Sequence, residues 1–561
     1  MSGRATSRKK PTPPVWAWYA VMAFFTVGYI VSPFLYTVGQ AVHAGESLTF
    51  DVFGQFFTND NHLAVARNTF VLGFSTTVVC GTLGTVLALY MTFLAGRCKK
   101  VLHVLLLSPM MIPGVITVLA FIELYGESGL VTKTLQTVLG LSEVPFRFEG
   151  FGAILFVIAY TQYVFFYLNV YVSLKYLDYA QIEAARSLGA SPTRIFRTII
   201  LPAITPALVT SAIITFASGA SAFSAPNLIG GFKVLSTQIV RSKANYNMDM
   251  ASVQAVVLFG ICVSMLVALR CIGSRLGAAQ TDRLAAQVTP FSTRGPLARV
   301  CRIAVGVQIV LIMLPIIAIV YLSFNETGAI MQQVFPHRFT LENYATIFQK
   351  PRVLQPLINS LRMAGIAVAA GLAITVPSAY VAVRYRTQAS GVLRFLLTLP
   401  AAMPASLIAV NLINAFNQPN VFAFNQALVG GFSILPIAYT VIALPMLLSS
   451  NELAIQGVHE SLEEASASLG AGMAHTFARI ILPNTVPGIM AGGVLILIRT
   501  MGEYTMSALL YGVYNRPISI SIITAMQEYQ TGISLAYGVI VIAVCYLALA
   551  VIFRLDKERF A

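Results

Sequence analysis

Long apolar stretches recur along the whole chain and alternate with short polar or charged breaks. Each stretch is roughly twenty residues or longer, enough to cross a hydrocarbon core of about 30 Å as an α-helix. About twelve of them can be counted, so the sequence predicts an all-α polytopic membrane protein with about twelve transmembrane helices. They lie near residues 15–42, 65–96, 101–124, 151–173, 206–228, 251–274, 303–323, 357–383, 392–416, 428–450, 485–510 and 535–554.

This pattern of apolar stretches repeats once along the chain. The prolines of the third stretch, Pro109 and Pro113, recur with the same spacing as Pro400 and Pro404 in the ninth. We expect them to kink both spans. The repeat indicates two homologous six-helix halves in the same orientation, related by an axis along the membrane normal. The predicted units are a cytoplasmic basic tail over 1–14, a first half over 15–274, a cytoplasmic linker over 275–302 and a second half over 303–561.

Composition and charge support a membrane protein. The chain is 57% hydrophobic and 10% charged, whereas a soluble domain carries about 25% charged residues. A net charge of +15 would suggest a nucleic-acid partner in a soluble chain. Here the basic residues lie mostly in short loops between apolar stretches, where Lys and Arg mark the cytoplasmic side. We therefore expect a bilayer environment, both termini in the cytoplasm and no nucleic-acid partner.

The clearest motif lies in the polar loop between the fourth and fifth stretch of each half, over 177–205 and again over 455–485. The first copy reads Glu-Ala-Ala, three residues, Gly, nine residues, Ile, one residue and Leu-Pro. The second copy differs only by Glu-Ala-Ser at its start, and its spacing is identical. A long pattern that occurs twice with a fixed gap indicates one function performed by both loops.

The residues of this motif favour a helix–turn–helix that projects from the membrane. Gly189 can adopt a positive φ angle and end a helix, while Ser191 can cap a second helix with Pro192 at its first position. In the second copy Ala471 and Gly472 follow the glycine and no Ser-Pro pair is present, which predicts a looser turn.

The motif E-A-A-x3-G-x9-I-x-L-P resembles the cytoplasmic loop of permeases of binding-protein-dependent ABC importers with the type I fold. The resemblance covers nearly the whole chain, because the number of spans per half also fits. It implies a permease that takes substrate from a periplasmic binding protein across the bacterial inner membrane. Each loop would couple to an ATP-binding subunit, so that two copies of this subunit are expected. The coupling residues carried over are Glu183, Ala184, Gly189, Glu464, Ala465 and Gly470, with Ser466 in place of the usual alanine.

The sequence shows no pattern typical of a catalytic site. No G-x4-G-K-[ST] loop is present to hold nucleotide phosphates. The six histidines show no metal-ligand spacing, and no Ser/His/Asp or Cys/His arrangement can be argued. We therefore expect a transport subunit rather than an enzyme, with no cofactor or metal bound by this chain and with ATP and Mg on the partner subunit.

Polar side chains within the predicted spans are candidates for a substrate path or gate. Ionisable residues within a span are costly and indicate function by default. Arg499 and Glu503 are four residues apart, so we expect them to pair across one helical turn, either as a gate or as a structural pair. The other candidates are Ser221, Asn227, Gln162 and Tyr163, for which helix packing or interfacial anchoring is the alternative.

Two short segments resemble particular branches of this importer family and so indicate a class of substrate. The segment 126–130 resembles the ferric-iron branch of the family, and the segment 225–231 resembles polyamine permeases. Ferric iron is the first expectation, and an organophosphorus compound, such as a phosphonate or sugar phosphate, or a polyamine is the second. A secondary transporter driven by an ion gradient is a further alternative. Such proteins usually carry buried acidic residues, and Glu503 is the one clear candidate here.

Overall fold

The computed structural model describes residues 13–44, 47–94, 99–275, 296–332, 338–385 and 387–560. Most of the predicted basic tail (residues 1–12) and most of the predicted linker (residues 276–295) lie outside the described residues. The described chain is almost entirely helical, apart from an antiparallel pair of two-residue strands, β1 (His43–Ala44) and β2 (Ser47–Leu48).

Twenty-seven α-helices follow one another along the described residues. In the first half they are α1 Pro13–Thr26, α2 Ser32–Val42, α3 Asp51–Thr58, α4 Asp60–Phe93, α5 Lys99–Leu107, α6 Gly114–Tyr125, α7 Leu130–Val138, α8 Gly150–Lys175, α9 Tyr179–Ser187, α10 Pro192–Ile195, α11 Leu201–Ala220, α12 Ser224–Ile229, α13 Leu235–Ala244 and α14 Met248–Arg275. In the second half they are α15 Pro296–Ser323, α16 Thr327–Gln332, α17 Glu342–Gln349, α18 Pro351–Arg384, α19 Gln388–Thr398, α20 Ala405–Phe416, α21 Ile434–Gln456, α22 Glu460–Ser468, α23 Met473–Thr476, α24 Leu482–Met501, α25 Thr505–Leu510, α26 Ile518–Gln527 and α27 Thr531–Phe560. Short π-helical turns at Val27–Val31, Phe196–Ile200 and Phe477–Ile481 join consecutive helices.

The number of spans agrees with the apolar pattern of the sequence. Among the described residues, 11 helices are long and apolar enough to cross a membrane, and a bent pair of helices brings the number up to 12. Such helices satisfy their backbone hydrogen bonds internally, as a hydrocarbon environment requires. The predicted all-α polytopic fold with about twelve spans is confirmed.

The third span of each half is interrupted at its two prolines. In the second half α19 and α20 are bent by 111° at the break between them, which contains Pro400 and Pro404. In the first half a 3₁₀ turn containing Pro109 separates α5 from α6, and Pro113 lies directly before α6. Proline removes a backbone donor and clashes with the preceding turn, so the helix cannot continue. The predicted kinks are confirmed.

The first span of each half packs against the other half. Helix α2 lies between α20 of the second half and α14 of its own half, while α15 lies between α6 of the first half and α27 of its own. The Trp18 indole donates a hydrogen bond to Ser378 Oγ at 3.3 Å. On the other side, the hydroxyl of Tyr160 in the first half donates to the carbonyl of Ile312 in α15, the first span of the second half, at 2.8 Å. The two halves are therefore held together by an exchange of their first spans.

Candidate functional site

The first polar loop forms the helix–turn–helix that its sequence predicts. Helix α9 begins at Asp178, whose carboxylate accepts the N–H of Ala180 at 3.0 Å. It ends at Gly189, which has a φ of +74°. Helix α10 then begins at Ser191, whose Oγ accepts the N–H of Arg194 at 3.4 Å. The positive φ and the serine cap are confirmed, and they fix the turn between the two arms.

The second polar loop has the same shape with a different connection between its arms. Helix α22 is followed by Gly470 at a φ of +81°, and α23 begins after Gly472, which has no side chain to cap it. Instead, Ser466 Oγ and Thr476 Oγ1 lie 2.8 Å apart and join the two arms by a hydrogen bond. This bond supports the turn at Gly472, which was expected to be looser than the turn of the first loop. The first loop has apolar residues, Ala185 and Ile195, at the positions of Ser466 and Thr476.

All six residues predicted to couple the loops to a partner are solvent-exposed. They are Glu183, Ala184, Gly189, Glu464, Ala465 and Gly470. Sequence reasoning missed two others at the tips of the loops, Leu188 and Leu469, which are 87% and 88% exposed. The two loops thus present the same large apolar side chain at the same place. The signal was available, because a Leu-Gly pair stands at this point in both motifs.

The second loop is attached to the membrane-spanning helices by a buried ion pair. Arg384, the last residue of α18, donates through Nε to Glu463 Oε1 at 2.6 Å, and the two side chains are only 5% and 4% exposed. The Tyr380 hydroxyl also donates to Glu463, at 3.2 Å. The Nη2 atom of the same guanidinium donates to the Val458 carbonyl at 2.7 Å. Charge-assisted bonds of this kind are stronger than neutral ones and fix the direction of α22.

The first loop is attached at the same place by apolar contacts. Counted from the two glycines, Ile182 stands where the second loop has Glu463, and it is 2% exposed. The last residue of α4 is Phe93, which corresponds to Arg384 at the end of α18. Its ring centroid lies 6.1 Å from that of Tyr179 at the start of α9. The two loops thus share a geometry and differ in the chemistry that holds them.

A second candidate site lies where the fifth span of each half is broken. Helix α11 ends before Phe223 and α24 ends before Tyr504, and these two residues stand equally far from the glycines of their loops. Their rings stack across the boundary between the halves, with centroids 5.1 Å apart and planes inclined by 30°. Asn227 Nδ2 donates to the Tyr504 hydroxyl at 3.1 Å. Phe223 and Tyr504 are only 2% and 7% exposed, so the stack is buried between the two breaks.

The remaining uncharged candidates fall in different surroundings. Ser221 Oγ donates to the Ala217 carbonyl and ends α11 close to this stack. Gln162 is half-buried, and its Oε1 atom has no hydrogen-bond partner among the described residues. Tyr163 is fully buried, with its hydroxyl donating to the Leu106 carbonyl at 2.6 Å. The Tyr163 side chain therefore packs inside the first half, and its place in a substrate path stays a prediction.

The expected direct ion pair between Arg499 and Glu503 does not form in the structure. No carboxylate oxygen lies within 4.0 Å of the Arg499 guanidinium among the described residues. Helix α24 ends at Met501, so helical spacing does not continue from one residue to the other. The Glu503 carboxylate instead accepts the N–H groups of Met506 at 2.9 Å and Ser507 at 3.1 Å, and so caps α25. Arg499 remains exposed.

The duplicated architecture is reflected in a comparison with known families. The sequence profile of the family described as "Binding-protein-dependent transport system inner membrane component" matches residues 82–325 and again residues 365–560. The chain belongs to this family. The two matches show a permease with both family units fused in one polypeptide. It is a multi-pass inner-membrane subunit of an ABC transporter, and its family implies ATP-binding and substrate-binding partners.

Individual relatives agree with this assignment. The permease is 28% identical to the "Probable ABC transporter permease protein y4fN" of Sinorhizobium fredii, over 97% of each chain. It is 27% identical to the "Ferric transport system permease protein FbpB" of Actinobacillus pleuropneumoniae, over 86% of this chain and 69% of that one. It is also 30% identical to the "Spermidine/putrescine transport system permease protein PotB" of Escherichia coli, over 38% of this chain and 79% of that one.

Proposed function

We propose that the permease imports ferric iron, which it receives from a periplasmic binding protein. Two copies of an ATP-binding subunit, which hold ATP and Mg, drive transport from the cytoplasmic face, one beneath each loop. Both termini lie on that same face. The observation that carries this proposal is the pair of loops of identical shape, which present Leu188 and Leu469 at 87% and 88% exposure.

The two loops have the form required for docking into a partner. Each ends its first helix at a glycine with positive φ, so the chain reverses sharply and the leucine before it projects outward. An isolated apolar side chain of this kind gains free energy when a pocket on another protein removes it from water. The exposed Glu183 and Glu464, one turn earlier on the same arms, add charge that fixes the orientation of the partner.

A direct mechanical connection joins each loop to the break in the fifth span. The second arm of each loop continues into the spanning helix without interruption, over residues 192–220 in the first half and Met473–Met501 in the second. From Pro192 to the end of α11 at Ala220, directly before the break at Phe223, this amounts to about 42 Å at 1.5 Å per residue. When the ATP-binding subunits move the loops, the helices carry this motion to Phe223 and Tyr504. Separation of the two rings then opens the path between the halves.

The choice of ferric iron is supported by the relatives. The ferric permease of A. pleuropneumoniae matches 86% of this chain, whereas the polyamine permease of E. coli matches 38%. The iron is cargo in this proposal and needs no resident site. Among the described residues, no group of three His, Cys, Asp or Glu side chains is placed to hold a metal ion.

Uptake by cells that express the permease with its ATP-binding and periplasmic subunits tests this function. We expect accumulation of radiolabelled ferric iron to fall at least tenfold in the double variant Leu188→Asp with Leu469→Asp. The matched control, Leu188→Met with Leu469→Met, keeps the apolar tips and should keep most of the uptake. Accumulation of labelled putrescine or methylphosphonate instead of iron would replace the substrate assignment. Uptake that survives the aspartate variants and collapses with an ionophore would contradict the importer mechanism.

A further inference from the structure

A cluster of basic and aromatic side chains lies where α5 begins and α8 ends, directly before the first coupling loop. The ammonium groups of Lys99 and Lys175 lie 5.6 and 4.9 Å from the centroid of the Tyr171 ring. The His103 ring stands 4.9 Å from the same ring, and its Nδ1 lies 2.6 Å from the Tyr167 hydroxyl. Three nitrogen-bearing side chains therefore surround one tyrosine.

This cluster contains positive charge that no carboxylate balances. None of the ion pairs among the described residues involves Lys99, Lys175 or His103. Because the ammonium groups of Lys99 and Lys175 lie over the same ring, their like charges repel each other. The tyrosine ring offers some attraction to the ammonium groups, but a ring quadrupole is weaker than an opposite charge. An anion placed between the lysines would relieve their repulsion.

The second half balances the corresponding position internally. Counted from the repeated prolines and glycines, Arg394 stands at the place of His103, and Glu452 at the place of Tyr171. Arg394 donates to Glu452 Oε2 at 2.8 Å. The places of the two lysines are taken by Ser390 and Gln456. One half thus carries its own anion at this position, and the other half carries excess cations.

The surroundings of the cluster indicate where its anion comes from. Val101 and Val104, on the same helix as Lys99, are 61% and 66% exposed, and Val172, next to Tyr171, is 42% exposed. Exposed aliphatic side chains on spanning helices face lipid tails. The lysines lie at the ends of these helices, where a membrane presents its headgroups. Basic pockets between helix ends at this depth suit anionic lipid headgroups.

We propose that Lys99, Lys175 and His103 form a binding site for the phosphate of an anionic phospholipid beside the first coupling loop. The phosphate oxygens accept hydrogen bonds from the two ammonium groups, and the acyl chains lie along the exposed valines. The bound lipid supplies to the first half the negative charge that Glu452 supplies to the second. This site is separate from the substrate path and does not depend on which substrate is carried.

Thermal unfolding of the purified full-length permease in a neutral detergent tests the site. Phosphatidylglycerol should raise the unfolding temperature by several degrees in a saturable way, and phosphatidylcholine should not. In the variant Lys99→Gln with Lys175→Gln, the apparent affinity for phosphatidylglycerol should fall at least tenfold. Lys100→Gln, which removes an exposed charge from the same helix, is the matched control and should keep the wild-type response. An unchanged response in the double variant would overturn the site.

Two further measurements separate a lipid from a soluble phosphate and guard against misfolding. Sodium phosphate at the same concentration should leave the unfolding temperature unchanged, and a full shift with phosphate alone would overturn the lipid assignment. Tyr171→Glu places a carboxylate where the second half has Glu452. This variant should unfold at a higher temperature than the wild type without lipid and should lose its response to phosphatidylglycerol. A full lipid response in this variant would contradict the proposed role of unbalanced charge.

Discussion

The two polar loops have the same backbone shape and are held to the membrane-spanning helices by different chemistry. In the second loop the buried pair of Arg384 and Glu463 makes the attachment, while in the first loop Phe93 and Ile182 stand at the same positions. The arms of the second loop are joined by Ser466 and Thr476, whereas the first relies on a serine cap. The backbone geometry of the loops is therefore the same in both halves, while the contacts that support it differ.

This difference decides how each loop responds to substitution. A buried ion pair depends on both partners, since removal of one leaves an uncompensated charge in a poorly hydrated place. Apolar contacts weaken by the area lost and by the cavity that remains. We therefore expect the second loop to be the more sensitive to single changes and the more easily restored by paired changes.

The largest effect is expected for Glu463→Ala. It leaves the buried Arg384 guanidinium without its main acceptor, so the free energy of unfolding should fall by about 3 to 5 kcal/mol. Chemical unfolding of the purified permease in detergent measures this loss. Glu460→Ala is the control, because its side chain is 64% exposed at 3.4 Å from the same guanidinium and should contribute little.

The paired change Arg384→Phe with Glu463→Ile replaces the ion pair of the second loop with the apolar residues found at these positions in the first. We expect it to recover most of the stability lost in Glu463→Ala, because no buried charge remains. Substrate uptake should recover with stability. If the paired variant were less stable than Glu463→Ala, the equivalence of the two attachments would be refuted.

A smaller loss is expected for Ile182→Ala in the first loop. Removal of a buried aliphatic side chain costs about 2 kcal/mol when neighbouring side chains can partly fill the space. The same unfolding measurement compares it with Glu463→Ala. A loss equal to or greater than that of the glutamate variant would remove the proposed contrast between the loops.

Ser466→Ala tests the connection between the arms of the second loop. It deletes the bond to Thr476, whose hydroxyl keeps a second acceptor in the Gly472 carbonyl at 3.3 Å. The loss should therefore be about 1 kcal/mol or less. Hydrogen exchange of the amides in α22 and α23 should rise in this variant. No change in exchange would show that the hydroxyl pair does not hold the arms together.

The smallest effect is expected for Ser191→Gly, which gives the first loop the residue found at Gly472 in the second. Glycine is itself a tolerated helix cap, so the cost should be a few tenths of a kcal/mol. Uptake should remain close to that of the wild type. A strong loss of uptake would mean that Ser191 contacts the ATP-binding subunit directly.

Local features of this permease could be predicted because a few neighbouring residues determine them. The positive φ at Gly189 and Gly470, the cap at Ser191 and the breaks at the paired prolines follow from backbone sterics and side-chain capping. Features that depend on distant contacts could not be derived in this way. The pair of Arg384 and Glu463, for example, joins residues 79 positions apart.

The expected ion pair between Arg499 and Glu503 is absent for a specific physical reason. Their spacing implied a continuous helix, but Gly502 lies between them, and a side chain there would overlap Pro113 of the other half. The close approach of two half-permeases breaks the helix and turns Glu503 toward backbone N–H groups. The glycine itself was visible in the sequence, whereas the neighbour that requires it was not.

The exchange of first spans has a consequence for how the fused chain is kept together. Because the first span of each half packs against the other half, we expect the peptide connection between Arg275 and Pro296 to add little to their association. A chain cut there should still migrate as a single particle. The connection instead sets the ratio of the two halves. Every transporter then contains one loop of each chemical kind, and particles built from two identical halves are excluded.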